Sequence, residues 1–171
     1  MKEIPLTQGK VALIDDEDFE ALAKHKWFAK RDRHTFYAAR KISQPDGKQT
    51  MEHMHRVVLA RKLGRPIARG MKTDHENGNG LDNQSDNLRE ATSAQNHRNL
   101  YWRKVNPASR YLGVTWRKAR ETWRARIQVS GKSICLGYHL TELRAALARE
   151  AYITAHPELY AKSNFAGGHS A

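Results

Sequence analysis

Between Thr73 and Asn96 the chain reads TDHENGNGLDNQSDNLREATSAQN: an Asp-His pair, a loop of glycines and asparagines, then Asn87 and Asn96. Too few apolar residues lie here to build a core, so the stretch reads as a site. Hydrolysis of a phosphodiester needs a base for the attacking water, an electrophile at the non-bridging oxygen and stabilisation of the leaving oxygen. Asp74, at a strand end, would hold a cation. His75, the next residue and so facing the other way, would take a proton from water with a pKa near neutrality. Asn87 would hydrogen-bond across the loop and fix its geometry. A short helix N-capped by Thr92 or Ser93 would turn Asn96 back toward Asp74 to complete the metal pair. The competing reading is that these Asn and Asp residues only make turns.

Composition supplies the polymer on which such a site would act. The 171 residues carry a formal charge of +12 with 39% hydrophobic residues, a balance suited to small modules that neutralise phosphates and hard to explain for a small-molecule enzyme. Nucleic acid is the leading expected partner. A membrane surface would call for a basic amphipathic helix or a lipid signal, and neither is present. No apolar run has the length of a membrane span and MKEIPLTQGK lacks a signal-peptide core, so a soluble, intracellular protein is expected. The single cysteine, Cys135, excludes an intrachain disulfide and any zinc site built on two thiolates. A bound metal would be one hard divalent ion, Mg²⁺ or Mn²⁺.

The elements that must position these residues are α+β. Residues 1–50 read as a small α/β region, with strands at Ile4–Thr7 and Lys10–Ile14 and a helix opened by Asp15–Asp18, whose acids suit a first turn better than a metal. Trp27–Ala29 and Thr35–Ala39 follow as strands, before the turn Gln44–Lys48. His55 and Arg56 lead into a short helix that ends before Gly64 and support the site of residues 51–100, as does Arg89. Residues 101–109 read as a basic linker, in which Arg103 and Lys104, with Arg98 and Arg110 on either side, would track a phosphate backbone.

Residues 110–165 are expected to form a three-stranded antiparallel sheet on one helix, with strands at Tyr111–Arg117, Trp123–Val129 and Ser133–Tyr138, before a tail over 166–171. Trp123, Ala125, Ile127 and Val129 alternate with Arg124, Arg126 and Gln128, which separates a core face from a polar one. The helix over Thr141–Ala155 carries a small-residue stripe, Ala145, Ala148, Ala151, Tyr152 and Ala155, expected to lie on the sheet's apolar face. The opposite face, with Arg117, Lys118 and Arg120 beside it, is left for a DNA major groove, unless its arginines merely solubilise it.

Asp74-His75, Asn87 and Asn96, in the pattern DHxNGxGLDN…NLR…QN, resemble the HNH nuclease motif of the ββα-metal fold, in its phage and intron-encoded homing-endonuclease branch. The resemblance implies His75 as general base, Asp74 and Asn96 as ligands of one divalent metal, and Asn87 as the residue orienting the His-bearing loop. His55-Arg56 resembles the element that introduces the motif. Tyr111–Val114, Trp123–Ile127, Leu136–Tyr138 and Asn164-Phe165 resemble an AP2/ERF DNA-binding domain. That implies Thr115, Arg117, Arg126, Gln128 and Cys135 as groove-facing. Thr115 and Cys135 stand where plant members usually carry Arg and Trp, so a GC-rich target is not implied. The resemblances imply a metal-dependent endonuclease acting on double-stranded DNA, monomeric or weakly dimeric, in the cytoplasm of a bacterial or phage-infected cell. The alternative is a non-catalytic, transcription-factor-like DNA-binding protein.

Overall fold

The structure, a computed structural model, describes residues 1–32, 35–99 and 108–165, the side chain of Arg98 excepted. The chain folds as two compact units, Met1–Asn96 and His97–Ala171.

The first unit opens with an antiparallel hairpin of β1 (Lys2–Pro5) and β2 (Val11–Ile14). The reversal passes through Gln8 and Gly9, both at positive φ (62° and 64°). Helix α1 (Asp16–Ala23) carries Asp16, Glu17 and Asp18 in its first turn, where unpaired backbone N–H groups favour negative charge. Strands β3 (Phe28–Asp32), β4 (Thr35–Ser43) and β5 (Gln49–His53) form an antiparallel sheet in chain order. Helix α2 (Met54–Leu63) follows β5 directly and stops at Gly64, whose φ of 63° supplies the left-handed cap. Strands β6 (Lys72–His75) and β7 (Leu88–Ala91) then pair antiparallel with Asp74 opposite Arg89 and His75 opposite Leu88, and α3 (Ser93–Arg98) completes a ββα run.

One core joins β1, β2, α1, β4, α2 and β7. Ile14 of β2, Met54, Val58 and Leu59 of α2 and Leu88 of β7 are fully buried in a single cluster with Ile4, Leu22 and Trp27. The long loop between β6 and β7 is also stitched to β2 through the backbone. Leu13 N donates to Leu81 O (2.9 Å) and Asn83 N donates to Leu13 O (2.8 Å). Asp15 accepts from Ser85 N (2.7 Å) one turn further on.

In the second unit β8 (Val114–Arg117), β9 (Thr122–Val129) and β10 (Lys132–His139) form an antiparallel sheet with β9 central. The turn from β9 to β10 uses positive φ at Ser130 and Gly131 (49° and 79°), the backbone twist a tight hairpin requires. Helix α4 (Glu142–Ala155) starts at Thr141, whose hydroxyl accepts from Arg144 N (3.2 Å), and packs across the sheet.

Two expectations are corrected here. The first strand begins at Val114, not Tyr111, because Gly113 turns the chain at φ 74° while its carbonyl takes Arg126 N at 2.8 Å. The inner face of α4 is Ala145, Ala146, Arg149 and Ile153, with Ala151 and Ala155 exposed. Arg149 sets that phase: it is buried, its guanidinium donates to Lys162 O (2.8 Å), and its side chain lies against Gly113. Asn164 closes the unit by accepting from Leu112 N (2.7 Å) and donating to Leu112 O (3.2 Å).

Candidate active site

The β6–β7 hairpin carries the Asp-His pair at its mouth, and both side chains are buried, Asp74 at 3% and His75 at 6% exposure. The antiparallel register sets Arg89 across from Asp74, and its Nε reaches the Asp74 carboxylate at 2.9 Å. The other end of the guanidinium meets Glu76 at 3.2 Å, so Arg89 bridges the strand to the start of the loop.

Within the loop, hydrogen bonds replace the missing apolar packing. Asn87 Oδ1 accepts from Asn77 N (2.9 Å) and its Nδ2 donates to Asp82 O (2.8 Å), so one side chain clasps both limbs. Asn77 and Asn79 each bond a backbone N–H two residues on, the local turn chemistry that makes asparagine suitable here. Asn83 is fully buried, with its amide donating to Leu81 O (3.0 Å).

His75 sits in a wall of rings. Its centroid is 5.1 Å from His55, edge to face, and 5.7 Å from Tyr37 of β4; His53 stacks on His55 at 5.3 Å. Burial strips the ring of water and lowers its pKa to about 4, with the Asn83 side chain and Asp82 only partly offsetting that loss. The expectation of a pKa near neutrality is thereby corrected. His55 is held well below the ordinary histidine range by burial and by His75, His53 and Arg56, and its Nδ1 is enclosed with no hydrogen-bond partner among the described residues. His53 is lowered chiefly by burial, with Lys30 and Arg56 adding to it. At neutral pH the centre therefore holds neutral imidazoles, the form a proton acceptor needs.

Asn96 lies on α3, which opens with a capping box. Gln95 N donates to Thr92 Oγ1 (3.2 Å) and Thr92 N donates to Gln95 Oε1 (2.8 Å). A carboxylate from Asp74 and an amide oxygen from Asn96 are hard donors, and the lone thiol, Cys135, belongs to the other unit. That donor chemistry fits a hard divalent cation. Among the described residues, Asp15, Glu17 and Asp18 also offer carboxylate oxygens within 4.8 Å of one another. They lie outside the hairpin and have structural duties: Asp15 holds Ser85, and Asp18 pairs with Arg61 at 2.8 Å.

The second unit presents the other residues of interest. Along β9, Ala125 and Ile127 are buried while Arg126 and Gln128 are exposed, the alternation expected of a sheet covered on one side. Thr115 pairs with Arg124 and Arg126 with Cys135, so these four lie together on the face away from α4. Arg117 and Arg120 are exposed, and the Arg120 guanidinium rests 4.5 Å from the Tyr138 ring. Arg110 is exposed over Tyr111 at 5.1 Å. Arg103 and Lys104, the Arg98 side chain, the tail and most of the expected linker lie outside the described residues. Arg56 is exposed on α2, next to His55.

Sequence reasoning passed over Tyr37, Asn83 and Tyr138. Period-2 alternation in Phe36-Tyr37-Ala38-Ala39 could have shown that Tyr37 faces one side of β4, but not which later segment packs on it.

Residues 52–98 match the family model described as HNH endonuclease, a span that takes in α2, the β6–β7 hairpin and α3. The chain is also similar to "Protein 3.8" of Escherichia phage T7, with 40% identity over 67 residues, 39% of this chain and 54% of that protein. It thus spans about half the length of this phage relative. No solved structure matches the chain.

Proposed function

We propose that this protein is a divalent-metal-dependent DNA endonuclease, with the β6–β7–α3 run as its nuclease centre and the C-terminal sheet as an AP2/ERF-like DNA-binding module. The observation that carries this reading is the neutral His75 imidazole buried beside Asp74, within the segment matched by the HNH model. His75 accepts the proton of the attacking water. Asp74 and Asn96 hold one Mg²⁺ or Mn²⁺ ion, which when bound offsets negative charge on the scissile phosphate. Asn87 keeps the loop in shape through its two hydrogen bonds, and Arg89 holds the Asp74 carboxylate in place. The formal charge of +12 supports a phosphate polymer as substrate, and the exposed row of Arg126 and Gln128 with Arg124 and Thr115 supports groove contact.

Supercoiled plasmid incubated with the full chain tests the reading. Nicked circles are expected with Mg²⁺, none with EDTA, and none from His75→Ala. DNA binding without nicking under any of Mg²⁺, Mn²⁺ or Ca²⁺ would establish the non-catalytic alternative instead.

A further inference from the structure

We propose that Tyr37 is a positioning residue of this nuclease centre, its ring holding the His75 imidazole in register with the loop at Gly80. The inference rests on the reading of His75 as the base, and adds to it a residue from outside the matched segment 52–98.

Tyr37 stands on β4, in the sheet of β3, β4 and β5, yet its ring meets the hairpin centre. It lies 5.7 Å from His75, tilted against the imidazole, and 5.1 Å from His55, edge to face. The same ring sets the loop. A Cβ added at Gly80 would fall 2.6 and 2.7 Å from two Tyr37 ring carbons and 2.5 Å from Phe36 O, so no side chain fits between strand and loop. Gly80 N also donates to Thr35 Oγ1 at 3.2 Å. Base and loop therefore share one rigid reference surface, contributed by three consecutive residues of β4. Burial, with Asp32 and Asp74 nearby, keeps the phenol protonated, so no charge at this position disturbs the neutral histidines.

A residue that only fills a core would protect the fold and nothing else. One that aligns the base should change the rate at saturation while leaving binding alone. Nicking of supercoiled plasmid in Mg²⁺, under single-turnover conditions with the full chain in excess, separates these. For Tyr37→Leu the saturating rate is expected to fall roughly 10- to 100-fold, with the half-saturating protein concentration within about twofold of wild type. Tyr37→Phe, which keeps the ring, should restore most of the rate. Gly80→Ala, which displaces the ring from the other side, should also slow nicking, and adding it to Tyr37→Leu should cost less than the product of the two effects. Should Tyr37→Leu fail to fold, judged by thermal melting, Tyr37→Met takes its place.

The proposal is overturned if Tyr37→Leu cuts like wild type while His75→Ala is inactive, if Tyr37→Phe is as slow as Tyr37→Leu, or if the Gly80 and Tyr37 losses simply multiply. Failure of wild type to nick in Mg²⁺ would instead sink the nuclease reading itself, which distinguishes the two failures.

Discussion

On the proposed reading, a histidine buried beside a buried carboxylate works as a base without being well hydrated. With a pKa of about 4, His75 is already unprotonated where an ordinary histidine is half charged. The nicking rate should therefore stay flat as pH falls from 8 through 6.5 and drop only as pH approaches 4, where the ring gains its proton. A rate that halves near pH 6.5 would show that the base is hydrated in the working state. His75→Ala should lower the saturating rate by about 10²- to 10⁴-fold with DNA affinity within about twofold, checked by gel shift in Ca²⁺. On the sheet face, Arg126 has an exposed guanidinium in the middle of the central strand. If it reads a base edge, Arg126→Ala should cost about 1–3 kcal/mol of discrimination between preferred and unrelated duplexes. Equal weakening on all duplexes, with a smaller salt slope, would identify a phosphate contact.

The elements place these residues by different means. The β6–β7 hairpin pairs Asp74 with Arg89 by register, and the loop between them takes its shape from asparagine side chains and from β2. The sheet of the second unit depends on one close approach. Gly113 sits at φ 74° with its Cα hydrogens directed at Arg126 O and the Arg149 side chain, which leaves no room for a Cβ. Gly113→Ala should destabilise the second unit by about 1–3 kcal/mol, from left-handed strain plus displacement of Arg149. Because Gly113 O also takes Arg126 N, the same variant should weaken DNA binding at temperatures where the unit remains folded. Chemical denaturation followed by Trp fluorescence, alongside gel shifts, checks both.

At the scale of the molecule, the neutral histidines make the fold acid-sensitive. In the unfolded chain each would protonate near pH 6.5, whereas His75 stays neutral down to about 4, and His55 and His53 are also lowered. Between those limits the unfolded state binds more protons, so stability falls as pH falls from about 6.5 toward 4. The melting temperature should decline over that window, and His75→Asn should flatten the decline; an unchanged slope would mean the ring is not buried in solution. The formal charge of +12 adds a second whole-molecule expectation, that DNA affinity drops steeply between 50 and 200 mM salt.

Much of this was legible along the chain, because periodicity and turn chemistry are local. The alternation of β9, the stop at Gly64, the Thr-x-x-Gln cap of α3 and the clustering of Asp74, His75 and Asn87 need only neighbours within a few residues. Other features depended on residues distant in sequence. The phase of α4 turned on burying Arg149 against Gly113 and Lys162 O, which a stripe of alanines does not reveal. The pKa of His75 turned on rings from β4 and α2, and the loop's path on a strand some seventy residues earlier, Leu13 bonding Leu81 and Asn83. The sequence by itself determined which polar groups the β6–β7 hairpin and its loop carry. Only the tertiary structure decided how dry that site is, since desolvation is set by everything packed around a side chain and not by its neighbours in the chain.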